Sequence, residues 1–186
     1  MNDEPDVLQS EEHWGDEEAM RGPRVDAGVD GSAGSQAALR FAVEDAARRG
    51  VPVEVVVAYR PPDYWTDLNV VGPADADRLR ARLRTEAEGR VRALIDEVTA
   101  GMPEPPDITI RAAHGAAADV LVRQSHGADL LVLGSRGHGA FSSALLGSTS
   151  LQCMLHATCP VTVVHSPEAH RHRVHLRRRR EPASVG

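Results

Sequence analysis

Glycines at 134, 137, 139 and 147 punctuate the stretch LLVLGSRGHGAFSSALLGSTS, residues 130–150, and hydroxyls follow at Ser148 and Ser150. Glycine weakens regular structure, but it lets a backbone approach another group with no Cβ in the way. An apolar run ends at Gly134 and a helix-like pattern starts at Gly147-Ser148, giving the spacing G-x2-G-x9-G-S. The start of a helix presents unpaired N–H groups and the positive end of a dipole, and both favour an anion. The two glycine-bearing segments can therefore converge on one polyphosphate from two sides. A serine at a helix start also caps it, so Ser148 and Ser150 have a purely structural alternative. A second corner, VDGSAGS, carries Asp30 to Ser35 into another turn. Every basic charge is arginine, because the chain contains no lysine. That excludes a phosphate-loop lysine and a lysine nucleophile. An anion site here must use backbone N–H groups, hydroxyls, Arg136 and a divalent cation.

The elements that would position these corners follow from periodicity. RVDAGVD (24–30) reads as a first strand, and GSAGS as a turn that starts a helix. Ala38, Phe41, Ala42 and Ala46 recur at helical spacing, and Gly50 supplies a stop. VPVEVVVAY (51–59) is a β-branched strand, whereas RPPDYWTDLNVVGPADA is too rich in Pro, Asp and Gly to be regular. Leu79, Leu83, Ala87, Val91, Leu94, Ile95 and Val98 mark one face of a long helix. PDITIRAA (106–113), ADLLVLG (128–134) and CPVTVVHS (159–166) read as further strands, with helices at AAADVLVRQSHG and STSLQCMLHA. Short continuous apolar strands alternating with helices predict an α/β fold, a doubly wound parallel sandwich of order βαβαβαβαβ. In such folds ligands lie beyond the carboxyl ends of the strands, where both glycine corners fall.

Composition sets the bounds. A chain of 186 residues with 41% hydrophobic content suits one domain. No apolar run is long enough to span a membrane, and the acidic N-terminus is not a secretory signal, which predicts a cytoplasmic protein. Residues 1–23 hold eight acids and one arginine, and residues 166–186 hold six arginines and two acids; both read as disordered tails. The basic tail, HRHRVHLRRRR, is the one candidate for an anionic partner. It has no aromatics to stack on bases, so it reads as a solvated tail and not a nucleic-acid site. Cys153 and Cys159 lack metal or redox spacing and read as buried reduced thiols.

With these residues in hand, the chain resembles the universal stress protein family. That family carries GS-x-GS after an Asp at the end of its first strand, an ADLIVVGSRG segment entering G-x2-G-x9-G-[ST], and a final CPV-x-VV strand. Here the matching stretches are VDGSAGS, ADLLVLGSRGHG through LLGSTS, and CPVTVV, in the same order across residues 24–165. The resemblance implies a Rossmann-like five-stranded parallel sheet and the ATP-binding subclass. By position, Gly134, Gly137, Gly147 and Ser148 would hold phosphates and ribose, with Ser150 as a second hydroxyl. Asp30 would lie near the ribose and phosphates or their Mg2+, and Ala58 would offer backbone groups to the adenine edge. A homodimer through residues 160–165 is also implied, and an exposed edge strand needs such a cover. The resemblance implies binding and signalling, with at most slow ATP turnover, and so a protein that is not an enzyme.

Asp26 departs from the pattern. Two-residue alternation puts it on the same side of the first strand as Asp30. Buried without a partner it would be costly and would hold a proton, so either the strand begins later or an arginine reaches it. Arg136 and His138 either touch phosphate or are solvated on the loop, and His114 reads as a packing or surface histidine. For hydrolysis, Asp30, His114 and His138 are the candidates for a base. The alternatives to a nucleotide-responsive regulator are a nucleotide-hydrolysing or adenylylating enzyme, and an interaction module whose pocket stays empty.

Overall fold

The computed structural model describes residues 22–60, 73–137 and 146–166. Nearly all of both tails, residues 61–72, His138 and Gly139 lie outside the described residues; residues 73–76, expected to be irregular, instead open the second helix. The elements run β1 (Val25–Gly28), α1 (Ala33–Arg49), β2 (Val53–Tyr59), α2 (Pro73–Thr99), β3 (Ile108–His114), α3 (Ala117–Gln124), β4 (Leu130–Gly134), α4 (Ser148–His156) and β5 (Val161–Val164). All five strands are parallel, in the order β3-β2-β1-β4-β5. The chain moves outward from β1 to β3, then returns past β1 to build β4 and β5. The reversal leaves a crevice between the carboxyl ends of β1 and β4, where two successive connections leave for opposite faces.

Each strand is shorter than its apolar run. Flanking residues still bond across the sheet, as in Val29 N–H to the Val56 carbonyl at 2.9 Å and Ser135 N–H to the Val164 carbonyl at 2.8 Å. They extend the edges of the ladder without completing paired positions.

Alternation along the strands divides two cores. Val25, Ala27, Val53, Val55, Leu130 and Val132 pack with Ala38, Leu39, Ala42, Val43 and Ala46 of α1 and with Ala87, Val91 and Val98 of α2. Val56, Ala113, Leu131 and Leu133 face the other way, against Val120 and Leu121 of α3 and Cys153 of α4. Helix α1 starts where the Ser32 hydroxyl accepts the Ser35 N–H. It stops at Gly50, whose φ of 69° is left-handed and whose N–H reaches the Ala46 and Ala47 carbonyls. On α2, pairs such as Arg82–Glu86 (2.8 Å) and Arg84–Glu88 (2.9 Å) line the solvent face. Among the described residues no helix is long and apolar enough to cross a membrane.

Asp26 lies within β1, fully buried, and its partner is an arginine. Arg24 Nε stands 2.9 Å from Asp26 Oδ1 and 3.3 Å from Glu54 Oε2. Its terminal nitrogens donate to the carbonyls of Gln124 (3.1 Å), His126 (3.1 Å) and Gly127 (3.2 Å). Glu54, opposite Asp26 in the register, also accepts from Arg111 at 2.8 Å and from the Gln124 amide at 2.5 Å. Burial raises the Asp26 carboxyl to about 7 although Arg24 pulls it down, because one guanidinium is shared among two carboxylates and three carbonyls. Burial also pushes Cys153 up to about 11 and raises Cys159, which is only half-buried. Both are unreactive thiols.

A carboxyl raised in the folded state stabilises the fold fully below its unfolded value, and that contribution is lost as pH rises through about 7. Between pH 5 and 8, urea unfolding should therefore shift against the wild type relative to Asp26→Asn by about 2 to 3 kcal/mol. Arg24→Ala leaves two buried carboxylates short of a partner and should cost about 3 to 5 kcal/mol at pH 7.5 in the same measurement.

Candidate functional site

The two glycine corners meet. Without side chains between them, the end of β4 lies on the first turn of α1. A Cβ on Gly134 would sit 2.5 Å from the Gly34 carbonyl carbon and 2.8 Å from the Ser35 nitrogen. A Cβ on Gly34 would strike the Arg136 carbonyl, and one on Gly137 would strike Asp30 Oδ2. The Ser32 hydroxyl joins the corners by donating to the Arg136 carbonyl at 3.4 Å. Asp30 Oδ1 accepts the Ser32 N–H at 2.9 Å, which turns the chain after β1.

The excursion that follows β4 is closed by a backbone bond, Gly147 N–H to the Ser135 carbonyl at 2.8 Å. Gly147 then caps α4 without any side-chain bond to the helix, so among the described residues no side chain closes its first turn. This contrasts with α1, whose first turn is closed by Ser32.

Between these parts lies a cavity of about 460 Å³. Its wall includes Gly28, Asp30, Ser35, Leu133, Gly134, Arg136, Gly137, Leu146, Gly147, Ser148, Thr149 and Ser150. Among the described residues Asp30 is the only carboxylate there and Arg136 the only cation. A second cavity of about 400 Å³ is lined by Ala58, Arg60, Gly115, Ala116, Ala117, Ala118, Ser148, Thr149 and Gln152. The two share a wall of Ala117, Ser148 and Thr149, and each has the size of a small-molecule site.

Every site residue expected from the sequence lines one of these cavities: Asp30, Gly134, Arg136, Gly137, Gly147, Ser148 and Ser150 the first, and Ala58 the second. Their parts differ from the simplest expectation. Gly134 is glycine because α1 backbone presses on it, and the buried Ser150 hydroxyl donates to the Gly134 carbonyl at 2.7 Å. His114 lines neither cavity; its ring meets Tyr59 edge-on, with centroids 5.8 Å apart. Sequence reasoning missed Gly28, where a Cβ would come 2.6 Å from Leu133 Cδ2 and 2.9 Å from Leu121 Cδ2. An isolated glycine inside a strand is the signal that could have marked it. Gln152 and the alanines opening α3 carried no signal, since nothing in their spacing separates them from ordinary helix residues.

The model of the universal stress protein family matches residues 24–165. The chain belongs to the universal stress protein family. Among solved structures it is similar to a universal stress protein in complex with cAMP, at 27% identity, covering 78% of this chain and 97% of that one, with a TM-score of 0.57. It is similar also to the universal stress protein UspA of Lactobacillus plantarum: 23% identity, 77% and 98% coverage, TM-score 0.60. A family protein of Arabidopsis thaliana with AMP bound is 17% identical, with 81% and 95% coverage and a TM-score of 0.51. No curated protein gave a significant sequence match.

In this universal stress protein the glycines separate into two kinds, and substitution tells them apart. Gly134→Ala drives a methyl into α1 backbone and should cost about 1 to 3 kcal/mol in urea unfolding. Among the described residues a Cβ on Gly147 has nothing nearer than 3.6 Å, so Gly147→Ala should stay within about 1 kcal/mol of the wild type.

Proposed function

We propose that this universal stress protein binds ATP and acts as a dimeric, nucleotide-responsive regulator, with residues 24–165 as the working domain. The observation that carries this reading is the open first turn of α4 facing a cavity walled by Asp30, Arg136 and the two packed glycine corners. The first cavity suits the phosphates, which would take the N–H groups of α4, the Ser148 and Thr149 hydroxyls and the Arg136 guanidinium. The adjoining cavity, floored by Ala58 and the alanines of α3, suits the flat apolar faces of a base. A structural relative at 27% identity is a complex with cAMP, which supports a nucleotide ligand of this class.

Among the described residues no group of three or more His, Cys, Asp or Glu could hold a metal by itself. A Mg2+ ion needs less, since it binds through one or two carboxylates together with substrate phosphates. Asp30 fits that part, and bound Mg2+ would neutralise phosphate charge. Binding rather than turnover is favoured because, among the described residues, the phosphate cavity has a single carboxylate, and holding Mg2+ would leave no second one to serve as a base.

A second copy would pair along β5. Among the described residues strand β5 has β4 on one side only, and all four of its residues are half-buried. Beside it α4 exposes Leu151, Met154 and Leu155 at 45%, 52% and 65%. Sedimentation should accordingly give twice the 20.0 kDa chain mass, and Val163→Pro, at a position whose N–H points away from β4, should yield a folded monomer.

Ser148→Glu tests the ligand. A carboxylate at the start of α4 satisfies the helix dipole, so the ligand-free melting temperature should hold or rise. It also occupies the place proposed for phosphate. Millimolar ATP with magnesium should raise the wild-type melting temperature and leave the variant unmoved. Equal shifts in both proteins would refute the assignment.

A further inference from the structure

We infer that Gln152 reads the edge of the base and makes the second cavity selective for adenine; this rests on the nucleotide reading above and goes beyond it. Gln152 stands one helical turn after Ser148, on the same face of α4, about 6 Å further along the axis. That displacement carries a ligand held at the start of α4 from its phosphate end to its base end. Both residues line the second cavity, opposite Ala58 and the alanines that open α3.

The chemistry of the lining singles out this side chain. Alanines and Gly115 give the cavity apolar walls with no directional side-chain groups. Ser148 and Thr149 each bring a single hydroxyl, and Arg60 can only donate. An amide alone offers a donor and an acceptor side by side, the pattern that matches the 6-amino group and N7 of adenine. Among the described residues the Gln152 amide has no hydrogen-bond partner, so nothing within them competes for it. Guanine presents two acceptors on the same edge and satisfies only the donor half of the amide.

Titration calorimetry on the full chain distinguishes this from the backbone alone reading the base. The probes are ATP, GTP and purine riboside triphosphate, which lacks the 6-amino group and keeps every phosphate. The wild type should bind ATP about tenfold more tightly than either competitor, the scale of one good bidentate pair. Gln152→Leu, an exposed position on the helix surface, should bring all three within about twofold of one another, with ATP losing the most affinity because it alone uses both halves of the amide. An undiminished preference for ATP in the variant would overturn the role of Gln152 while leaving nucleotide binding intact. A wild type that binds none of the three would overturn the nucleotide reading itself.

Discussion

Where α1 begins, its backbone rests on the end of β4 with no side chain between them. Gly34 and Gly134 permit this together, since a Cβ on either would fall inside the other segment. Much else depends on that contact. It sets the Arg136 carbonyl within reach of the Ser32 hydroxyl and brings Gly137 under Asp30. The glycines are therefore consumed on one side by the packing of protein on protein. What they leave on the other side is a cavity whose floor is set by packed backbone. A floor of packed backbone loses little ordering entropy on binding, which offsets the lack of a lysine.

The opposite end of β1 solves a different problem. Asp26, Gly28 and Asp30 project from one face of the strand in turn, so a charge, a gap and a charge face the α3–α4 layer. Gly28 lies in the cavity wall, and glycine is required there because Leu133 and Leu121 already fill the space a Cβ would take. Below it, Arg24 binds Asp26 and Glu54 and also takes three carbonyls from the end of α3 and the turn after it. Such a cluster adds little net stability, because desolvation offsets attraction. Its effect is positional: it clamps the carboxyl end of α3 to the sheet, so that the alanines at the other end of the helix wall the second cavity.

The order of elements was legible in the chain because each strand is an apolar run bounded by turn residues and each helix carries a stripe. Ladder ends were not, since pairing stops where the neighbouring strand stops, and Val29 or Ser135 cannot report that locally. The first cavity was legible from Gly134, Gly137, Gly147 and Asp30, whose types are unusual for their surroundings. The reason for those glycines was not, because Gly34 and Gly134 are a hundred residues apart and only the fold brings them together. The partner of Asp26 was foreseeable as an arginine. That it would be Arg24, at the mouth of the same strand, needed the geometry of the α3 carbonyls that draw the guanidinium inward.

One residue joins the cavity to the sheet edge. Ser135 is buried, donates its N–H to the Val164 carbonyl at 2.8 Å and accepts the Gly147 N–H at 2.8 Å. The start of α4 and the end of β5 are thus fastened to opposite sides of a single peptide segment. A nucleotide at the first and a second copy at the other would act on the same backbone. Coupling between two ligands requires a shared element that each can bias, and its size is limited by how differently each binds the element's alternatives. Ser135 supplies the shared element within two hydrogen bonds, with no chain of side chains between the two sites. A regulator that responds to a nucleotide by altering its pairing could hardly use a shorter path, and this economy makes the proposed binding and the proposed dimer parts of one reading.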